Sequence, residues 1–295
     1  FVNSHIIANF FVDHYKEPIY EEGVRLVDMI YLKKSLESKL DVKKVVDMAI
    51  EAGRILLKNG AEIFRVEETI TRICKRFHVN HVDIFTLSHA IFVSAENGEE
   101  AYTRVKHVPL SAPHLGVVAE VNDLSREISA GHVTINEAVE RLKEIDEIPP
   151  KKAYVQILAG GIGSGFFGVM LGSTPLESAV AFVIGCLVNV WVLIGKRNHM
   201  SKIIVNIIGG VLLTAFTLLF QYLIFWNAMR IDGIIIGAIM PLVPGLAFVN
   251  AIRDIADSDF LSGTVRMIDA LLVFVYIAIG VGCVLSLYYR LGGMI

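Results

Sequence analysis

The sequence predicts an α-helical membrane protein with five transmembrane helices preceded by a cytoplasmic α+β domain that contains a small antiparallel sheet. Only 13 of the 57 Asp, Glu, Lys and Arg residues lie after Lys152. The charge-poor half contains five long apolar runs, and hydrophobic residues make up 54% of the chain, more than is usual in a soluble domain. We expect an N-terminal extension (1–40), the α+β domain (41–150) and the membrane domain (151–295).

The N-terminal extension has no predicted role. Its first segment, Phe1 to Val12, is apolar, but it lacks the basic start and the small-residue cleavage site of a signal peptide. The extension is therefore assigned neither to the membrane nor to the α+β domain.

Two amphipathic helices are predicted at the start of the α+β domain. Apolar residues keep helical spacing from Asp41 to Lys58, and Asn59-Gly60 is a typical stop. A second buried stripe runs from Ile63 to Phe77, with Glu62 and Arg65 on the adjoining polar edge. These helices supply one layer of the domain.

Strands and two further helices complete the α+β domain. A hairpin turn is expected at Asn97-Gly98, a third helix before Gly131, and a fourth behind the capping box that Thr134 and Glu137 form. The predicted strands are Val82 to Ser88, Ala90 to Ala95 and Ala101 to Lys106. Pro149-Pro150 ends the domain.

The membrane domain is predicted from runs long enough to cross a hydrocarbon core, which takes about 20 apolar residues. The runs are Ala153 to Gly172, Leu176 to Ile194, Ile203 to Trp226, Ile231 to Val249 and Met267 to Tyr289. Lys and Arg are more abundant in cytoplasmic connections. Two Lys and Arg residues lie in the connections on one side of the predicted spans, Arg230 and Arg290, and seven lie on the other side: Lys151, Lys152, Lys196, Arg197, Lys202, Arg253 and Arg266. This bias predicts a cytoplasmic N-terminal domain and an external C-terminus.

A glycine-lined face marks the first predicted span. Gly161, Gly165, Gly168 and Gly172 follow a helical spacing that lets a neighbouring helix approach closely. The same stretch matches a dinucleotide-binding pattern, but no strand precedes it and it lies within a membrane run. Helix packing is the favoured interpretation.

The fourth predicted span contains two prolines. Pro241 and Pro244 have no amide hydrogen, so the carbonyls of Gly237 and Met240 lose their helical donors, and Gly245 loosens the backbone further. Broken helices in transporters expose backbone groups that bind substrates or coupling ions. The alternative is a simple kink accommodated by packing.

Polar residues in or near the spans are candidates for a substrate or proton pathway. Asn250 and Asp254 share a helix face just beyond the break, with Arg253 beside them. Asn189, Asn206 and Asp269 are also expensive in lipid and are expected to face inward. For Asp269, an ion pair with Arg266 three residues earlier is an alternative to a proton site.

No catalytic motif or cofactor site is predicted. Cys74, His78 and His81 have a metal-like spacing, but a fourth ligand is not evident, and we favour scattered histidines. The net charge of −3 without a basic stripe argues against a nucleic-acid partner.

Three stretches together resemble the threonine/serine exporter family. They are Asn59 to Glu67, which includes Glu62, Arg65 and Glu67; Asn122 to Glu127 with the Glu137-Ala138 helix; and Pro241 to Gly245 with Asn250 to Asp254 and Ser262-Gly263. The resemblance implies export of threonine and serine, or of a dicarboxylate such as succinate, driven by the proton gradient. It also implies the larger subunit of a split system, with a smaller membrane protein as partner in an oligomer.

Two function classes remain open at this point. An exporter subunit would hold an amino-acid zwitterion, which needs an acceptor for its ammonium and donors for its carboxylate, near the broken helix. The spans supply little positive charge for a dicarboxylate. A membrane-anchored enzyme or sensor that acts through the cytoplasmic domain is the alternative, but an anchor needs neither five spans nor a proline-broken one.

Overall fold

The structure of the chain is a computed structural model in which helices predominate. It describes residues 2–7, 18, 20–21, 24–25, 29–34, 42–79, 81–97, 100–109, 111, 113–224 and 230–291. In the N-terminal extension, β1 (Val2–Ile7) pairs antiparallel with β4 (Met29–Lys34), and β2 (Tyr20–Glu21) pairs with β3 (Val24–Arg25). The sequence patterns predict no strands there.

An α+β unit follows over residues 42–147. Its elements are α1 (Val42–Lys58), α2 (Ile63–Arg76), β5 (His81–Leu87), β6 (Ala90–Asn97), β7 (Glu100–His107), α3 (Leu115–Ala130) and α4 (Ile135–Asp146). The strands form one antiparallel sheet in the order β5-β6-β7, which confirms the predicted small sheet. Asn97 pairs with Glu100 across the second hairpin, whereas Gly98, expected in its turn, lies outside the described residues.

Helix α1 is the centre of the core of the α+β unit. Val45, Ala49 and Leu56 are fully buried, and α1 packs against α2, α3, α4 and the sheet. From the sheet, Ile91 and Val93 point inward and are also fully buried. Burying one such aliphatic side chain contributes roughly 1.5–3 kcal/mol, so this central helix fixes the unit.

The predicted helix boundaries of the α+β unit are found at the expected turns. Gly60 has φ +86° and Gly131 has φ +81°, a left-handed conformation that glycine adopts without the penalty of a Cβ. Thr134 and Glu137 form the predicted capping box at the start of α4. The turn at Gly60 sets the direction of the chain before α2, and the turn at Gly131 sets it after α3.

The helical bundle occupies residues 153–291. Among its described residues, four helices are long and apolar enough to cross a membrane: α5 (Ala153–Met170), α6 (Pro175–Arg197), α7 (Lys202–Ile224) and α10 (Phe260–Arg290). The predicted fourth span is not one continuous helix. It is divided into α8 (Ile231–Ala238) and α9 (Gly245–Ala256), because the prolines between them cannot donate helical hydrogen bonds.

The two halves of the divided span have different neighbours. Helix α8 packs against α5, α6 and α7, whereas α9 packs against α10. Helix α10 begins at Phe260, before the predicted Met267, because the Asp259 carboxylate accepts the Ser262 amide at 3.2 Å and caps the helix. The break therefore connects two packed parts of the bundle.

Candidate functional site

The break between α8 and α9, residues 239–244, contains short-range hydrogen bonds. The Met240 amide donates to the Gly237 carbonyl at 3.4 Å, and the Val243 amide donates to the Met240 carbonyl at 3.2 Å. The two carbonyls expected to lose their helical donors thus accept amides three residues ahead. A carbonyl oxygen has two lone pairs, so these bonds do not by themselves exclude a further donor.

A cavity of about 790 Å³ lies between the break and the α+β unit. Its wall from the α+β unit includes Lys58, Gly60, His89, Ser111 and Pro113. Its wall from the bundle includes Lys202, Asn206, Pro244, Gly245, Asn250, Arg266 and Asp269. The cavity therefore has a mostly apolar lining with charged groups of both signs.

The structure brings only some of the predicted site residues to this cavity. Asn206, Pro244, Gly245, Asn250 and Asp269 line it. The remaining pathway candidates do not: Gly237, Met240, Pro241, Asn189, Arg253 and Asp254. The predicted set thus divides into a cavity group and residues that lie around it.

Asp254 and Arg266 form a buried ion pair next to the cavity. The guanidinium of Arg266 donates to the Asp254 carboxylate at 2.9 Å, and the two side chains are 9% and 2% exposed respectively. The alternative pairing of Arg266 with Asp269 is wrong, because Asp269 pairs with Lys202 at 3.0 Å instead. Arg266 faces α9 across the tight turn before α10, while Asp269 faces the start of α7.

The turn between α1 and α2, residues 59–62, lies against this ion pair. The Asn250 side-chain amide donates to the Gly60 carbonyl at 2.9 Å. The Arg266 guanidinium approaches the Ala61 carbonyl at 3.4 Å, and the Ile63 amide approaches the Asp254 carboxylate at 3.4 Å. Side chains of the bundle therefore bind the backbone of the α1–α2 turn directly.

The predicted motif residues of α2 lie at the same contact. Glu62 forms ion pairs with Arg65, at 3.2 Å, and with Arg253 of the bundle. The Glu67 carboxylate accepts the Thr86 amide at 3.0 Å and so joins α2 to the sheet. Burial raises the pKa of Glu67 above its ordinary value, although the hydrogen bond from Thr86 opposes this effect.

The two intramembrane asparagines bond to their own helices. The Asn189 amide donates to the Gly185 carbonyl at 3.0 Å, and the Asn206 amide donates to the Lys202 carbonyl at 2.8 Å. Asn206 lines the cavity, whereas Asn189 packs against Gly160 in the contact between α5 and α6. Only Asn206 is placed to meet a molecule in the cavity.

Cys74 is a buried thiol rather than an accessible ligand. Burial raises its pKa to about 12, which keeps it protonated at neutral pH. Within the described residues, no group of three or more His, Cys, Asp or Glu side chains has a metal-binding arrangement.

Sequence reasoning did not single out Ala61 or Arg266 as site residues. Ala61 contributes only its backbone carbonyl, which a residue pattern cannot reveal. Arg266 is an arginine at the start of an apolar run, and that exceptional placement is a signal that could have identified it.

Comparisons with known proteins agree on one family. The family model described as putative threonine/serine exporter matches residues 47–288. A threonine/serine exporter from Corynebacterium glutamicum is 25% identical over 82% of this chain and 50% of its own length. A probable threonine/serine exporter from Mycobacterium tuberculosis is 22% identical over 82% of this chain and 46% of its own length.

An uncharacterized protein from Schizosaccharomyces pombe is 21% identical over 80% of this chain and 32% of its own length. The chain thus spans about half the length of the bacterial relatives it matches. No solved structure matches it significantly. Because the family model covers well over half of the residues, the chain belongs to the threonine/serine exporter family, whose members are membrane transporters and not enzymes.

Proposed function

We propose that the chain is a subunit of a secondary active exporter that carries threonine and serine out of the cell and is coupled to protons. The observation that carries this proposal is the cavity beside the broken helix, with the buried Asp254–Arg266 pair next to it. In this proposal the α+β unit lies in the cytoplasm, as the Lys and Arg distribution indicates.

The cavity offers groups that suit an amino-acid zwitterion. Asp269 is an acceptor for an ammonium group, and Lys202 is a donor for a carboxylate. The two side chains are 47% and 63% exposed, so a substrate reaches them without first disrupting a buried pair. Asn206 and Asn250 add amide groups for a substrate hydroxyl.

Asp254 is the group we assign to the proton. Its carboxylate bonds both to Arg266 and to the Ile63 amide at the α1–α2 turn. Protonation would neutralise the carboxylate and leave Arg266 as an uncompensated buried charge, which is strongly unfavourable. The proton would therefore weaken the hold of the bundle on the α1–α2 turn and open the cavity to the cytoplasm.

A dicarboxylate such as succinate is a second candidate substrate. Lys58, Lys202 and Arg266 line the cavity and could meet carboxylate groups. In the structure each is paired with an aspartate, Asp146, Asp269 and Asp254 respectively, so a dicarboxylate would have to replace one of these partners. A substrate panel is needed to separate the two candidates.

We also propose that export requires a second membrane subunit. The chain spans about half the length of its bacterial relatives, and we infer that a smaller, separately encoded membrane protein supplies the rest of the pathway. Two repeats of opposite orientation build many secondary transporters, with the substrate path at their interface.

Transport in proteoliposomes tests this proposal. Vesicles that contain this chain, the candidate subunit, or both receive labelled threonine, serine and succinate under an imposed pH gradient. We expect flux of threonine and serine only with both proteins, and loss of its pH dependence in Asp254→Asn. Flux of succinate alone would select the second candidate, and full flux by this chain alone would contradict the two-subunit arrangement.

A further inference from the structure

The exposed large hydrophobic side chains of the α+β unit are unevenly distributed over its surface. Single exposed hydrophobic residues are normal in folded domains, so only their arrangement carries information. Among the residues that the structure describes between 42 and 148, all of them lie near the end of the unit that faces the bundle. We name this set the apolar rim: Phe64, Phe85, Phe92, Val105, Leu115 and Ile148.

Three members of the apolar rim lie beside points where the chain meets the bundle. Phe64 is 60% exposed and follows Ile63, whose amide approaches a carboxylate of α9. Leu115 is also 60% exposed and begins α3 just after Pro113, which lines the cavity. Ile148 lies in the short connection that leads into α5.

The other three members form one row across the outer face of the sheet. Phe85 pairs with Phe92, and Phe92 pairs with Val105. The two phenyl rings lie 6.2 Å apart, so they form a continuous apolar surface. The row lies close to the β5–β6 turn, where His89 lines the cavity together with Lys202 of the bundle. The sheet therefore presents its apolar row at the end nearest the bundle.

The outer face of the sheet becomes polar with distance from the bundle. The next two outward rows towards the β6–β7 turn are polar except for one alanine: Asp83, Ser94 and Thr103, then His81, Glu96 and Ala101. Successive outward rows are about 7 Å apart along the strands. Interfacial apolar surfaces enter a leaflet to a comparable depth, about 5–10 Å. The order of the rows thus fits a surface that passes from lipid into water.

The charged residues beside the cavity indicate where the membrane ends. Lys202 begins α7 and pairs with Asp269 of α10 at 3.0 Å. Both side chains lie at the ends of apolar runs, and charged groups in such positions reach the membrane–water interface. His89 lines the same cavity, so the β5–β6 turn lies near this level and the apolar row lies close to it.

We propose that the apolar rim is immersed in the interface of the bilayer leaflet next to the α+β unit, where its side chains contact lipid. Phe, Leu and other apolar side chains are favoured there because they leave water at the boundary between headgroups and acyl chains. The exposed Lys151 and Lys152, which follow Ile148, add attraction to anionic headgroups. Lipid would thus support the unit in addition to the α1–α2 turn.

Spin labelling tests the rim in the full chain, reconstituted into vesicles of phosphatidylcholine and phosphatidylglycerol. In a chain without Cys74, Cys186 and Cys283, a nitroxide is attached at Val105→Cys, or at Thr103→Cys as the matched control on the same face of β7. Oxygen concentrates in lipid and a nickel chelate remains in water, so the ratio of their collision rates reports immersion. We expect this ratio to be at least about fivefold higher at Val105→Cys than at the control.

Equal ratios at the two positions would overturn the proposal. A label at Val105→Cys that is shielded from both oxygen and the nickel chelate would also overturn it, because a protein surface would then cover the rim. That surface would belong to a second copy, to another subunit or to the N-terminal extension of this chain.

Tryptophan fluorescence provides a second measurement in a chain that keeps its natural cysteines. Trp191 and Trp226 are replaced by Phe, and Phe85→Trp is compared with Thr103→Trp in vesicles whose phospholipids are brominated near the headgroup. Bromine quenches tryptophan on contact, so we expect quenching at least about twofold stronger for Phe85→Trp. Quenching no stronger than that of Thr103→Trp would contradict immersion. Neither measurement needs a substrate, so the outcome is independent of the proposed export.

Discussion

Arg266 links a buried ion pair of the bundle to the contact with the α+β unit. It combines a buried ion pair to Asp254 with an approach to the Ala61 carbonyl. Arg253 also crosses this contact, but its side chain is 52% exposed where it pairs with Glu62. Removing one partner of a buried pair costs about 3–5 kcal/mol, whereas an exposed pair contributes about 0–1 kcal/mol.

We therefore predict unequal effects of Arg266→Ala and Arg253→Ala. The first leaves Asp254 as an unpaired buried carboxylate, so the α1–α2 turn should detach and the thermal midpoint of the purified full chain should fall by several degrees. The second should leave the midpoint nearly unchanged and serves as the matched control. Limited proteolysis at residues 59–62 provides an independent measurement. Equal behaviour of the two variants would show that the buried pair does not hold the contact.

Asp146 gives the α+β unit a pH-dependent stability. Burial alone would raise its pKa, but hydrogen bonds from Lys58 and Arg54 and their positive charges outweigh this and hold the pKa below its ordinary value. A carboxyl group with a lowered folded pKa adds stability above its unfolded pKa, and this contribution is lost as the pH falls through the folded pKa. Asp146→Asn should thus unfold earlier than the parent chain at pH 7, and the difference should shrink as the pH falls below 3.8, the ordinary aspartate value. A difference that persisted unchanged at low pH would exclude the ionic contribution.

The ion pairs of the site could not be predicted from residue spacing. Arg266 and Asp269 are three residues apart on one helix, so a local pair is the natural expectation. The actual partner, Asp254, lies on α9 and is brought close only by the turn before α10. Spacing within a helix is visible in a sequence, whereas the return of the chain onto a preceding helix is not.

At the scale of elements, the break was the most predictable feature of the bundle. Pro241 and Pro244 remove two amide donors, and no tertiary contact can restore them, so the helix ends at Ala238 and resumes at Gly245. What the sequence could not predict is the cavity, because about a third of its wall comes from the α+β unit. Each of the five apolar runs is recognisable in the sequence. The division of the fourth run into two helices follows from the missing amide hydrogens of its two prolines.

Pro244→Ala tests the role of the break. An interior proline disfavours a helix by about 3 kcal/mol, so alanine should restore an amide donor for the Met240 carbonyl and favour extension of α9 back towards Pro241. We expect export to fall several-fold while the protein still reaches the membrane. Pro175→Ala is the matched control. Pro175 occupies the first turn of α6, where a backbone amide would have no helical acceptor, so its absence costs no helical hydrogen bond. Normal export by both variants would mean that the break is only a packing kink.

At the scale of the whole molecule, the positive charges of the connections gather at two ends of the bundle. Lys202 and Arg266 line the cavity against the α+β unit, and Arg253 pairs with that unit. Arg230 lies at the other end, where its amide bonds to Glu177 beside the α5–α6 loop. The Lys and Arg bias and the packing thus agree on which connections share a side, which supports the proposed cytoplasmic position of the α+β unit.

Single-cysteine labelling tests this orientation. Leu171 in the α5–α6 loop is 53% exposed and is the external site. Asn198, exposed in the α6–α7 connection, is the matched internal site. In a chain without its natural cysteines, an impermeant reagent applied to intact cells should label Leu171→Cys and should label Asn198→Cys only after the membrane is permeabilised. The reverse pattern would place the α+β unit outside the cell, where the proposed entry of cytoplasmic substrate through the cavity is impossible.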